Sequence, residues 1–81
     1  MLRSRRSPRQ VRLQQLLITA RTAAGLTQME LARMLRQPQS FVSRYETGER
    51  RLDLVELIEV SSLLGCDLRK IVEELIRIRQ R

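Results

Sequence analysis

Pro38 stands between two stretches that both carry helical periodicity, and it forbids a single helix from running through them. A proline has no N–H to donate, and its ring pushes the preceding residue out of the helical region, so a helix on its N-terminal side cannot continue through Gln37. In the first turn of a helix the missing N–H is harmless, because that group has no intrahelical partner there. The stretch RQPQSFVSRYETGER, residues 36–50, is therefore expected to end one short helix and start another, with Gly48 as a left-handed stop.

The same local chemistry punctuates the rest of the chain. Ser7-Pro8-Arg9-Gln10 reads as an N-cap, a proline at the first helical position and a glutamine at N3. Leu13, Leu16, Leu17 and Ala20 then recur at helical spacing up to Gly25, which predicts a first helix over about 8–24. Thr27 and Glu30 form a capping box for a second helix, about 28–35, with Leu31, Ala32 and Leu35 in its apolar pattern. The third is expected over about 38–47. Asp53 and Glu56 form another box, and Leu54, Leu57, Ile58, Ser61 and Leu64 share a face until Gly65. Asp67 caps a last helix whose apolar positions are Leu68, Ile71, Val72, Leu75 and Ile76. Strand patterns are absent, so the expected fold is all-α: one compact five-helix domain.

A chain of 81 residues is marginal for a self-sufficient core. With one cysteine, Cys66, and no histidine, neither an intramolecular disulfide nor a zinc constellation is available, and no metal or cofactor is expected. Cys66 is expected as a small buried residue. No apolar run approaches the roughly 18 residues of a membrane span, and the basic start lacks the apolar segment of a secretory signal. A cytoplasmic protein without a membrane partner is the expectation.

The formal net charge is +7, and it is unevenly placed. Residues 1–12 hold five arginines and no acid, whereas residues 52–81 hold five bases against six acids. That asymmetry favours a polyanion bound by one side of the molecule, although a solvated basic tail has the same composition. Residues 1–6, with Arg3, Arg5 and Arg6, are expected to be a flexible arm able to follow phosphates or enter a minor groove, ahead of a domain over residues 7–81.

Advancing about 100° per residue from Gln39 places Gln39, Ser40, Ser43, Arg44 and Thr47 within an arc of roughly 140°. Val42 and Tyr45 fall on the opposite side and Phe41 at the border, where partial packing is expected. Two short helices joined by a tight turn suit a helix-turn-helix, whose second helix enters the DNA major groove and reads bases near its N-terminus. Glutamine bonds adenine and arginine bonds guanine in bidentate fashion, and serine is adaptable. Gln39, Ser40, Ser43 and Arg44 are thus candidate base readers. Thr47, Gln28 at the start of the second helix, and Arg50 and Arg51 beyond the third are candidate phosphate contacts. A helical hairpin with a merely solvated polar face fits the same pattern, with Arg50 and Arg51 as a surface pair near Glu49 and Asp53.

The run GLTQMELARML…QPQSFVSRYETGERRLDLVEL resembles the phage-repressor (Cro/lambda-repressor-like, XRE) helix-turn-helix family over about residues 13–75. The resemblance implies a five-helix domain that usually binds operator DNA as a homodimer. It implies that Gln28 contacts a phosphate and braces Gln39, the first recognition glutamine. It implies that Ser40 touches a base, and that Ser43 and Arg44 vary with the operator. It further implies a structural ion pair between Arg21 and Glu46. Two positions depart from the family pattern: Arg36 stands where glycine is frequent, and Pro38 where a small polar cap is frequent.

Ile71, Leu75, Ile76 and Ile78 of the last helix are expected to face a second copy, since Ile76 and Ile78 look surplus to the core. No nucleophile–base pair, metal constellation or glycine-rich phosphate loop is present, so an enzyme is not expected. The reading is a sequence-specific transcriptional regulator, a repressor by promoter occlusion or an activator touching RNA polymerase, bound as a homodimer to a roughly palindromic operator. A different class stays open: a regulator that binds protein, such as an antitoxin or anti-activator, on the same helical surface.

Overall fold

The computed structural model describes residues 7–79. Five helices follow one another: α1 (Pro8–Ala23), α2 (Gln28–Leu35), α3 (Gln39–Thr47), α4 (Leu54–Leu64) and α5 (Leu68–Arg77). Among the described residues there is no strand, so the architecture is the all-α one expected. α2 packs on α3, and α1 crosses behind them to touch α3, α4 and α5.

The helix ends are made by the residues that announce them. Ser7 accepts from the Gln10 N–H at 3.2 Å. The Thr27/Glu30 and Asp53/Glu56 boxes are formed in both directions, which satisfies orphan N–H groups at two helix starts. Pro38 is the N-cap of α3 rather than its first helical residue, at φ −67° and ψ 157°, and supplies no side-chain cap. Its carbonyl takes the Phe41 N–H at 2.9 Å. The helix therefore begins one residue later than the sequence suggests, because an extended residue whose carbonyl accepts the first helical N–H is what an N-cap is.

The α2–α3 turn closes through Arg36 in the left-handed region (φ 59°, ψ 42°). The Gln37 N–H reaches the Ala32 carbonyl at 2.9 Å and the Arg36 N–H reaches Arg33 at 3.1 Å. A side chain with a Cβ pays roughly 1–2 kcal/mol for this conformation. The departure noted at Arg36 thus changes the residue and not the turn.

Every helix contributes to one core: Leu17, Leu31, Ala32, Phe41, Val42, Tyr45, Val60, Leu64 and Ile71 are all buried. Phe41, expected at the border, is inside, edge-to-face with Tyr45 at 5.7 Å and 73° between ring planes. Cys66 is partly buried against the same cluster, and burial pushes its thiol pKa up. On α4 the expected face is rotated. Val60 is fully buried, while Leu54 and Ile58 are exposed, because only the Leu57–Val60–Ser61–Leu64 arc meets α1, α2 and α5. On α5, Ile71 belongs to the core and is withdrawn from any interface; Leu75 is half-covered, whereas Ile76 is open.

Two arginines of the basic N-terminal region serve the fold. Arg9 Nε donates to the Leu75 carbonyl at 2.8 Å at the end of α5, where a cation also meets the negative end of the helix dipole. Arg12 pairs with Glu74.

Candidate nucleic-acid interface

α3 is held from behind and open in front. Val42, Tyr45 and Glu46 face inward, while Gln39, Ser40, Arg44 and Thr47 are exposed and Ser43 is half-buried. The five side chains of the expected polar arc therefore do lie along one outward strip.

The inner anchor is Glu46, 6% exposed. Its carboxylate accepts from Arg21 Nε at 2.7 Å and Arg21 Nη2 at 3.1 Å, which is the expected ion pair. Hydrogen bonding to Glu46 raises the Arg21 pKa above its already high ordinary value. Arg21 also donates to the Leu26 carbonyl at 2.8 Å, fixing the α1–α2 turn with the same group. From α2, Gln28 Nε2 donates to Glu46 Oε1 at 2.8 Å, and Gln28 Oε1 receives Gln39 Nε2 at 3.4 Å. Gln28 and Gln39 are thus brought together at the start of α3. From α1, Gln14 Nε2 reaches the Glu46 carbonyl at 3.2 Å. Position 48 is a glycine because φ there is 87°; a Cβ would also lie 2.9 Å from Gln14 Oε1, which the Gln14 side chain could relieve by shifting.

Arg50, expected at phosphate, also has partners within the fold. Its two terminal nitrogens grip Glu56 at 3.0 and 2.8 Å, and its guanidinium carbon lies 4.8 Å from the centre of the Phe41 ring. These donors tie the segment after α3 to the start of α4, while the Arg50 side chain stays 40% exposed. Glu56 is lowered in pKa by those Arg50 hydrogen bonds first and by the Asp53 N–H second. Sequence reasoning missed this clamp because a spacing of six residues across a loop has no periodic signature. Its one visible sign was Glu56 already serving as the N3 residue of a capping box.

Arg51 and Thr47 are exposed beyond and along the strip, and Arg44 lies 3.8 Å from Glu49 in a loose exposed pair. Arg3, Arg5 and Arg6 lie outside the described residues. Ile78 is half-buried just after α5.

A short helix packed across a second one, with a polar outward strip at its N-terminal part, is helix-turn-helix geometry. Residues 17–71 match the helix-turn-helix family model, which spans α2, α3 and α4 together with the later part of α1 and the start of α5. This chain belongs to the XRE-like helix-turn-helix family. An XRE-family-like protein from Pseudomonas syringae pv. tomato str. DC3000 has a similar structure, with a TM-score of 0.77 and 46% sequence identity, covering 83% of this chain and 82% of that one. Among curated proteins none matches. Membership of the XRE-like family makes the chain a DNA-binding transcription regulator. No helix among the described residues is long and apolar enough to cross a membrane.

Proposed function

We propose that this regulator binds a roughly palindromic operator as a homodimer and reads it with α3 in the major groove. The observation that carries the reading is the outward strip of Gln39, Ser40, Ser43 and Arg44, with Gln39 held by Gln28 at 3.4 Å. Gln39 and Ser40 lie where a recognition helix first meets base edges, and Arg44 one turn later carries the bidentate donor suited to guanine. Gln28, Thr47 and Arg51 take phosphates alongside, and Arg3, Arg5 and Arg6 extend the basic contact from an N-terminal arm. Two copies would place their reading helices about one DNA turn apart. Occlusion of a promoter, in the cytoplasm, is the simplest regulatory outcome.

The second copy is favoured by apolar surface left open on the last two helices. Leu54, Val55 and Ile58 of α4 and Val72 and Ile76 of α5 are all more than 40% exposed. Ile76, Ile78 and the edge of Leu75 are assigned to this interface, with α4 joining them. A sedimentation mass that stays monomeric at all concentrations would remove the dimer from the proposal.

Selection of bound DNA from a random pool tests the reader. Gln39→Ala and Arg44→Ala are each expected to cost roughly 1–3 kcal/mol at the selected site and to relax preference at one position. If both variants keep the full preference of the parent, α3 is not the reading element.

A further inference from the structure

We propose that the buried Arg21–Glu46 pair, acting through Gln28, decides which end of the Gln39 amide faces DNA, so that Glu46 is a positioning residue for adenine over guanine. This rests on the reading of α3 proposed above.

Glu46 takes two guanidinium N–H groups from Arg21, one on each oxygen, at 2.7 and 3.1 Å. A carboxylate so paired is an acceptor only. The Gln28 side chain meets Oε1 of this group at 2.8 Å, and only its NH2 end can do so favourably. Turning the amide over would set a carbonyl oxygen against a buried anion and remove one of the two donors of Glu46 Oε1, the expensive arrangement. Gln28 therefore has one orientation, with its oxygen outward.

That oxygen selects the next amide. Gln39 must offer an N–H to it, as it does at 3.4 Å. Gln39 is left with one N–H and its own oxygen for the groove. A donor beside an acceptor matches the N7 acceptor and N6 donor of adenine. Were Gln28 reversed, Gln39 would spend its oxygen on Gln28 and present two N–H groups, which match the N7 and O6 acceptors of guanine. A residue that is 6% exposed and touches no base thereby sets a purine preference two side chains away.

Two variants break the relay at different points. Glu46→Gln replaces the pure acceptor by an amide that can donate, so both Gln28 orientations become accessible. Gln28→Met removes the relay and leaves the Arg21–Glu46 pair intact, which guards against loss of fold in the first variant. The base pair concerned is identified as the one whose preference disappears in Gln39→Ala. In the parent, DNA selection at that pair is expected to favour adenine over guanine by about tenfold or more, falling to within about threefold in both variants while other pairs keep their preferences. The loss of a phosphate contact in Gln28→Met would lower affinity for all sequences alike and leave ratios untouched. An unchanged adenine-to-guanine ratio in Gln28→Met, or a uniform weakening at every pair, would overturn the relay while leaving α3 as reader. If Gln39→Ala removes preference nowhere, the underlying assignment of α3 fails instead, and the relay with it.

Discussion

Two arginine–glutamate pairs flank α3, built from the same two side chains in different surroundings. In the inner pair, Arg21–Glu46, the side chains are 13% and 4% exposed; in the outer, Arg50–Glu56, they are 40% and 23% exposed. Both are bidentate and both join α3 or its flank to a neighbouring helix. Water is what separates them. A buried charge that loses its partner has no solvent to turn to, whereas a half-exposed one is taken up by water. The inner pair also reaches the outward strip of α3 through Gln28, and the outer one reaches Phe41 and the capping box of α4. The inner pair is expected to matter far more to stability than the outer one.

The largest expected effect is therefore at the inner pair. Arg21→Ala should cost about 3–5 kcal/mol of stability in denaturant unfolding, because Glu46 stays buried without its counter-charge. A loss below about 1 kcal/mol would put it in the class of the outer pair and end the contrast.

Arg50→Ala should cost far less stability than Arg21→Ala, because it removes only a screened ion pair and a cation–π contact at a partly exposed site. The loss should shrink as salt is added. The same variant sharpens the assignment of Arg50: if it ties helices, the slope of log affinity for DNA against log salt stays as in the parent, whereas a lost phosphate contact flattens it by about one.

The smallest effect is expected in acid. Glu56 has a folded-state pKa below its ordinary 4.5, owing to Arg50 first and the Asp53 N–H second. Its contribution is fully present above that ordinary value and is lost as pH falls through the lower folded value. Unfolding measured across the acid range should show this decline, and it should be shallower in Arg50→Ala.

How much was legible follows the range of the interactions. Helix starts and stops were readable because a cap is a matter of residues within three or four of one another, as at Thr27–Glu30 and Asp53–Glu56. The outward strip of α3 was readable because helical angle alone puts Gln39, Ser40, Ser43, Arg44 and Thr47 on one side. What failed was the depth of burial. Periodicity marks a face but not how much of it a neighbour covers, so Leu54 and Ile58 were grouped with Leu57 and Leu64, and Ile71 with Ile76. The depth of Phe41 and the Arg50–Glu56 clamp have no periodic sign, since Arg50 meets both partners across turns of the chain. The link from Arg21 and Glu46 to Gln28 spans three helices and has no local sign beyond the family resemblance.

The contacts of Arg9 and Arg12 with the end of α5 join residues 66 and 62 apart in the chain. They make the first and last helices neighbours, so the order of elements around the domain is cyclic. Closing a loop this long costs only about 0.6 kcal/mol more than closing one of half the length. The helix-turn-helix unit of α2 and α3 is built from contacts close in sequence, while the α1–α5 seam is not. That unit can therefore form early in folding and the seam late. A circular permutant opened at the exposed Gly65 turn, with its old ends bridged across the seam, would keep every helix whole while turning that late contact into a local one.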